Sequence, residues 1–278
     1  MNSLVEQPQV YEVASVRKAL EILCSFSREA PSYTVSELSR RLAIPKSTTH
    51  NLLRTLQALE FLTQDPADKQ YRLGPRVYEL GLLFSHITQL VAVAYPRLRR
   101  LAEQTKETVK LATLSGGEVL VLAAVESPFQ LHTRGDVGRR APLHCTGLGK
   151  AMLASLADSE IREIVAHRGL APFTARTITS LELLEEEIGR IRVRGYAIDW
   201  EENEDGVRCV ATGIPDPRSR SVAAISVSGP GSRIKEESLT GLGAKVIETA
   251  HAIAESFGNS APRQPDRDAG QKALLEVR

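Results

Sequence analysis

Residues 34–62 read TVSELSRRLAIPKSTTHNLLRTLQALEFL, and this stretch decides how the N-terminal part of the chain folds. It reads as two helices joined by a tight turn. Ser36, just before Glu37 and Leu38, suits an N-cap because its hydroxyl accepts an orphan backbone N–H. Ile44-Pro45 stops the first helix, since a residue before proline is pushed out of the α region. Pro45 suits the first turn of the next helix, where its missing N–H costs nothing. Leu52, Leu53, Leu56 and Leu59 form one stripe, expected to pack against Leu38, Leu42 and an upstream helix. Ser47, His50, Asn51 and Arg54 fall on the opposite face, with Lys46 at its N-terminal edge and no acid among them. A helix with such a face is what places side chains in a DNA major groove. An ordinary amphipathic hairpin with a solvated polar side is the plain alternative.

The next residues favour the first reading. Phe61-Leu62-Thr63 and Tyr71-Arg72-Leu73 flank QDPADKQ, a turn-rich connector. That pattern reads as a β-hairpin. Helix, turn, helix, hairpin is the order of a winged helix. Lys69 and Arg72 then stand where they grip phosphate, a contact that positions a protein without reading sequence. The candidate DNA contacts are Lys46, Ser47, Thr48, His50, Asn51 and Arg54 on the helix, and Lys69 and Arg72 on the wing.

Charge agrees locally. The chain of 278 residues carries a net charge of +1, so it is no polyelectrolyte for nucleic acid as a whole. Between Val13 and Leu80 ten bases face seven acids, a surplus of three. That asymmetry supports a DNA-facing N-terminal domain. The three cysteines (Cys24, Cys145, Cys209) are widely spaced and form no CxxC or Cys-His pattern. A disulfide framework or structural metal is therefore not expected. No run approaches the ~18 apolar residues of a membrane span, and MNSLVEQPQV has no leader pattern. No membrane partner and a cytoplasmic location are expected.

Further along, Ser15 to Phe26 reads as the first helix of the same domain, with Cys24 as a small core residue. Leu80, Leu83, Phe84, Ile87, Val91 and Ala94 recur at helical spacing. They predict a long amphipathic helix whose stripe packs on a partner subunit or on the next domain, bent or restarted at Pro96. From Thr108 the rhythm changes. TVKLATL, SGGE and VLVLAAVE read as a hairpin turning on Gly-Gly. Gln130 to Thr133 is a candidate third strand. Helices are expected over Gly147–Leu156, Ser159–Ala166, Ser180–Val193 and Ile234–Phe257. Strands are expected over Gly195–Asp199, Val207–Gly213 and Ser221–Ser228. Short strands and helices without βαβ alternation favour an α+β domain.

Several separated motifs, in order, resemble the IclR family of transcriptional regulators over residues 13–258. They are SVRKALEIL, SELSRRLAIPKSTTHNLLRTL, YRLGPRVYELG, GRRAPLHCTGLGKAMLA, GYAIDWEENEDGVRCVA and AAISVSGP. The resemblance implies an α+β chain: a winged helix-turn-helix domain, a linker helix, and a GAF-like effector-binding domain with an antiparallel sheet. Its expected boundaries here are a flexible arm at 1–12, the DNA-binding domain at 13–75, the linker helix at 76–105, the effector domain at 106–258, and a disordered polar tail at 259–278. It implies operator DNA as partner, self-association as a dimer or dimer of dimers, a small organic carboxylate as signal, and no cofactor. Three positions depart from the family pattern. Asn51 stands where Arg is usual, Glu60 where Gly is usual, and Gly213 where Pro is usual. Asn pairs best with adenine and Arg with guanine, so Asn51 predicts a shift toward A at any base it reads.

The resemblance places the effector against Gly147, Leu148, Asp199, Val207, Cys209, Ser226 and Ser228. The residue types fit an anion. Ser226 and Ser228 are two apart on a strand and share a face, as do Val207 and Cys209. The Thr146–Gly149 loop opens a helix, whose free N–H groups suit a carboxylate. Asp199 repels an anion unless it is protonated, binds a ligand hydroxyl or amine, or orients backbone donors. His132, Arg134 and His144 flank the region as further carboxylate partners. The rival function is a thiol enzyme using Cys209 or Cys145. It needs an electropositive setting, and no His-Asp arrangement lies beside either cysteine in sequence. No catalytic residue and no metal ligand is expected.

Overall fold

Thr34, rather than Ser36, starts the first helix of the quoted stretch. The Thr34 hydroxyl accepts the Glu37 N–H at 3.3 Å, and the Glu37 carboxylate accepts the Thr34 N–H at 2.7 Å. This capping box satisfies two orphan donors at once and leaves Ser36 inside the helix. A cap of this kind contributes about 1 kcal/mol. The computed structural model describes residues 12–27, 29–83, 85–215 and 222–260. Apart from Glu12 and the last helical residues, the expected arm and tail lie outside the described residues. The chain forms two units, Met1–Ser85 and His86–Arg278.

The first unit holds α1 (Ala14–Cys24), α2 (Val35–Leu42), α3 (Lys46–Ala58), the strands β1 (Leu62–Gln64) and β2 (Tyr71–Leu73), and α4 (Pro75–Leu83). β1 and β2 pair antiparallel, Thr63 opposite Arg72. Ala43 ends α2 in the left-handed region and Pro45 caps α3, which makes the turn tight. The core is Ile22, Tyr33, Leu38, Leu53, Leu56, Leu62 and Tyr71. Each fully buried aliphatic side chain contributes about 1.5–3 kcal/mol. Two expected core positions are exposed. Leu59, 56% exposed, sits where the chain leaves α3, and the buried position at the other end of the stripe is Thr49. The Thr49 hydroxyl donates to the Pro45 carbonyl at 3.1 Å, which removes the penalty of burying it. Cys24 is also exposed. It follows the buried Ile22 by two residues, about 200° around the helix, so it faces away from the core.

The second unit is built on α5 (Ser85–Thr105), β3 (Thr108–Ser115), β4 (Glu118–Val125), β5 (Arg140–Ala141), α6 (Gly147–Leu153), α7 (Asp158–Arg168), α8 (Leu181–Arg194), β6 (Ala197–Trp200), β7 (Val207–Gly213), β8 (Ala223–Pro230) and α9 (Leu239–Ser260). The six strands form one antiparallel sheet in the order β5-β4-β3-β8-β7-β6. The β3–β4 turn uses Gly116 and Gly117 at φ 61° and 76°. Both central residues of such a turn need positive φ. Strand alternation gives the sheet two cores. Val109, Leu111, Val210, Ile225 and Val227 face α5 and α9, while Ala112, Cys209, Ala211 and Ala224 face the α6–α8 side.

Four expectations for this unit change. The single long linker helix is two helices, α4 and α5, and only the later residues Leu90, Ala94, Leu98 and Leu101 are buried, against the sheet. Leu80 and Leu83 are exposed. Pro96 does not restart the helix, because burial of that stripe outweighs one lost hydrogen bond. Residues 130–133 form no strand; Thr133 is tied by its hydroxyl to the Ser228 carbonyl at 3.1 Å and by its carbonyl to the Thr108 hydroxyl at 2.7 Å, not by a ladder. The final helix begins at Leu239 rather than Ile234, after one 3-10 turn over Glu236–Ser238.

Candidate functional sites

On α3, the core takes Thr49, Leu53 and Leu56. That leaves Lys46, Ser47, His50, Asn51 and Arg54 exposed and Thr48 partly so. The helix contains no acid. Arg54 makes no hydrogen bond or ion pair among the described residues, so its guanidinium is available to a partner. The two wing candidates differ. Lys69 lies exposed in the hairpin turn at φ 59°. Arg72 is half exposed and already paired within its own turn. Its guanidinium donates to Asp65 at 2.8 Å and to Asp68 at 3.0 Å. The two aspartates also fold the turn, accepting the Ala67 and Gln70 N–H groups, each at 2.8 Å. Arg72 therefore braces the wing.

The effector candidates gather on the α6 side of the large sheet. Register pairs Asp199 with Cys209, Cys209 with Ser228, and Ser228 with Thr108, one residue each from β6, β7, β8 and β3. All four are buried. The Ser228 hydroxyl donates to Cys209 Sγ at 3.2 Å. Ser226 lies on the same face and is wholly buried; its hydroxyl has the Cys209 thiol as a neighbour but makes no hydrogen bond of ordinary geometry. A buried polar group without one costs about 1–3 kcal/mol. Val207 stands at the start of β7, paired with Pro230. Gly147 lies against the same face: a Cβ there meets Cys209 Sγ at 2.8 Å, so no side chain fits. Leu148 belongs to the core below. The expected supply of free N–H groups at 146–149 is reduced, because the Thr146 hydroxyl accepts the Gly149 N–H at 3.1 Å.

Three polar residues that the motif reading passed over complete this region. Lys150 is buried inside α6 and pairs with Glu202. Asp199 Oδ1 accepts the Glu202 N–H at 2.8 Å. Burial, with the Glu202 carboxylate nearby, pushes the Asp199 carboxyl up to about 7. Below that value Asp199 is protonated and does not repel an anion. The third is Lys110, the register partner of Ser226 on β3. A lysine within an apolar strand pattern was the available signal, and only the pairing reveals its neighbours.

The remaining basic candidates are engaged elsewhere. Arg134 pairs with Asp136 at 3.2 Å, and His132 Nδ1 meets the Phe129 carbonyl at 2.7 Å. His144 Nε2 donates to the Ala171 carbonyl at 3.0 Å and lines a separate cavity of about 160 Å³ with Leu153, Val165, Arg168 and Phe173. The thiols are poor nucleophiles. Burial, aided by the Asp199 charge, pushes Cys145 up to about 12 and Cys209 up to about 11. Reactive cysteines need the opposite shift.

A helix-turn-helix whose exposed second-helix face carries no acid, followed by a hairpin and an α+β unit, is the architecture of a DNA-binding transcriptional regulator. The comparisons agree. Residues 15–66 match the IclR helix-turn-helix domain, and residues 84–255 match the bacterial transcriptional regulator IclR C-terminal domain. The chain belongs to the IclR family. It is 34% identical to the HTH-type transcriptional repressor AllR of Escherichia coli K12 over 247 residues, covering 89% of this chain and 91% of that one. It is 33% identical to the transcriptional repressor IclR of the same organism over 253 residues, covering 90% and 92%. Among solved structures, an IclR homolog of Microbacterium hydrocarbonoxydans complexed with 4-hydroxybenzoate superposes with TM-score 0.79 at 26% identity, covering 89% of this chain and all of that one. The Thermotoga maritima IclR superposes with TM-score 0.70 at 29% identity, covering 88% and 98%. Among the described residues no single helix is long and apolar enough to cross a membrane.

Proposed function

We propose that this regulator is a cytoplasmic repressor that binds operator DNA as a homodimer or dimer of dimers and is controlled by a small organic acid. The observation that carries the reading is the buried polar face of Asp199, Cys209, Ser226 and Ser228, in which the Ser226 hydroxyl makes no hydrogen bond of ordinary geometry. Such a group suits a ligand, and a relative of the same fold complexed with 4-hydroxybenzoate supports a small acid in that role. Gly147, Leu148 and Val207 border the same site. The domains run over 13–75, 76–105 and 106–258.

Lys46, Ser47, Thr48, His50, Asn51 and Arg54 meet DNA from α3, and Lys69 from the wing braced by Arg72. Self-association gives two recognition helices for half-sites about one helical turn apart. It also covers apolar residues that are exposed in the single chain: Val13 at the start of α1, Val16 and Leu20 on it, and Tyr78, Leu80 and Leu83 on α4. Repression is the action of the relatives AllR and IclR. A ligand relieves it only by binding one arrangement of the subunits more tightly than the other.

A thermal-shift screen of carboxylic acids on the purified protein tests the proposal, since a binder stabilises the fold by RT ln(1 + [L]/Kd). The stabilising acid is then added to a complex with operator DNA, and anisotropy should show release. DNA retention that does not weaken with salt would overturn the DNA reading, because phosphate contacts release counterions.

A further inference from the structure

We infer that Lys110 is the counter-ion for the effector's carboxylate, and that the site therefore selects anionic acids over their neutral analogues. The inference rests on the proposed effector site and adds the residue that recognises charge. Register places Lys110 directly opposite Ser226 on β8, with Ala124 on its other side. Directly opposed side chains in an antiparallel pair have Cβ atoms about 5 Å apart. Val109 and Leu111, the strand neighbours of Lys110, are both in the α5–α9 core. Lys110 must then point to the other face, the one that carries Ser226, Ser228 and Cys209.

Among the described residues no acid pairs with it there. Lys110 is partly buried and makes no hydrogen bond or ion pair among the described residues. The nearest acids do not serve it. Asp136 is already held by Arg134 at 3.2 Å and Arg139 at 3.1 Å. Glu204 is exposed and beyond ion-pair distance. Burial pulls the Lys110 ammonium below its ordinary range, the mark of a charge kept from water without a partner. Beside it lies a second unmet demand, the Ser226 hydroxyl. One carboxylate answers both, accepting from the ammonium with one oxygen and from the hydroxyl with the other. Of the other cations in the region, Lys150 is committed to Glu202, and Arg139, whose charge also reaches Lys110, is paired with Asp136.

The test uses the full chain and matched probes: propionate, benzoate and 4-hydroxybenzoate, against propionamide, benzamide and 4-hydroxybenzamide. Calorimetric titration on wild type, Lys110→Met, Lys110→Arg and Ser228→Ala reads affinity, and unfolding followed by Trp200 fluorescence verifies the fold of each. In the wild type at least one acid should bind at least about 10-fold more tightly than its amide. Lys110→Met should lose about 10- to 100-fold in acid affinity and most of the preference over the amide. Lys110→Arg should keep the preference. Unchanged preference in Lys110→Met, with binding lost in Ser228→Ala, overturns the lysine and leaves the effector site standing. Equal binding in all four proteins overturns the site itself, and a wild type that prefers amides or takes no acid overturns both.

Discussion

Asp199→Asn should make the protein more stable at neutral and higher pH, by an amount the structure sets. The substitution keeps Oδ1 and so keeps the 2.8 Å bond from the Glu202 N–H. It removes only the ionisation. Burial raises the Asp199 carboxyl from 3.8 to about 7, with Glu202 adding to the shift and the Lys150 ammonium opposing it. At 1.36 kcal/mol per unit this is on the order of 4 kcal/mol. The sign follows from proton counts. The unfolded chain releases this proton near the ordinary value and the folded chain near 7. Between those two values the folded state holds one more proton, so stability falls as pH rises through the window and is level on either side. Glu202, also raised by burial, adds the same sign in both proteins and cancels in the difference. Trp200 is the only tryptophan in the chain and neighbours Asp199 on β6, so its fluorescence reports unfolding of this unit alone. Urea unfolding at about pH 3, below both values, should give the same stability for wild type and variant, and at about pH 8 the variant should lead by about 3–4 kcal/mol. Parallel pH profiles for the two proteins would show that Asp199 ionises normally, and the neutral floor of the effector site would then be wrong.

Three other outcomes follow from named residues. Arg54→Ala should weaken operator binding about 10- to 100-fold by anisotropy without moving the melting temperature, because Arg54 is exposed and unpaired within the described chain; unchanged affinity would displace the recognition face. Asn51→Arg should shift the base preferred at one operator position from adenine toward guanine in a selection on randomised DNA, and an unaltered consensus would remove Asn51 from base contact. Glu60→Gly should stabilise the first unit by about 0.5–1 kcal/mol, since Glu60 sits at φ 62° and gains only an exposed 3.4 Å pair with Arg76; a lower melting temperature would refute that.

Glu60 also marks what a sequence can reveal. Glycine is the family's residue there, and the positive φ is the physical reason. The departure was visible in the sequence, but the left-handed backbone was not. The helix-turn-helix was legible because its signals are local. A proline after Ile44, a leucine repeat and an acid-free polar face are all set within a few turns. Where local signals competed, the choice depended on packing. Thr34 and Ser36 both qualify as caps, and only the reach of the Glu37 carboxylate decides for Thr34. Leu59 looks like core by hydrophobicity, yet α3 ends there. The split of the linker into α4 and α5 depends on where the sheet offers cover, which no helical periodicity records.

The effector site divides along the same line. Ser226 with Ser228, and Val207 with Cys209, were readable as pairs because a strand repeats every two residues. Which pairs then face each other depends on register, a relation between separate strands, and for β3 and β8 those strands lie more than a hundred residues apart. Lys110 is the clearest case. Alone in TVKLATL it reads as a solvated residue on a half-buried strand, and a charged side chain there is no surprise. Setting β3 beside β8 changes its meaning, because the same lysine then stands opposite a buried serine with no acid to neutralise it. Arg72 runs the other way. In sequence it is a free cation on a wing, and in the fold it is bound by two aspartates of its own turn. A cation's availability is thus a tertiary property. It depends on whether the protein has already satisfied the charge, and of these two residues Arg72 has carboxylate partners among the described residues while Lys110 has none.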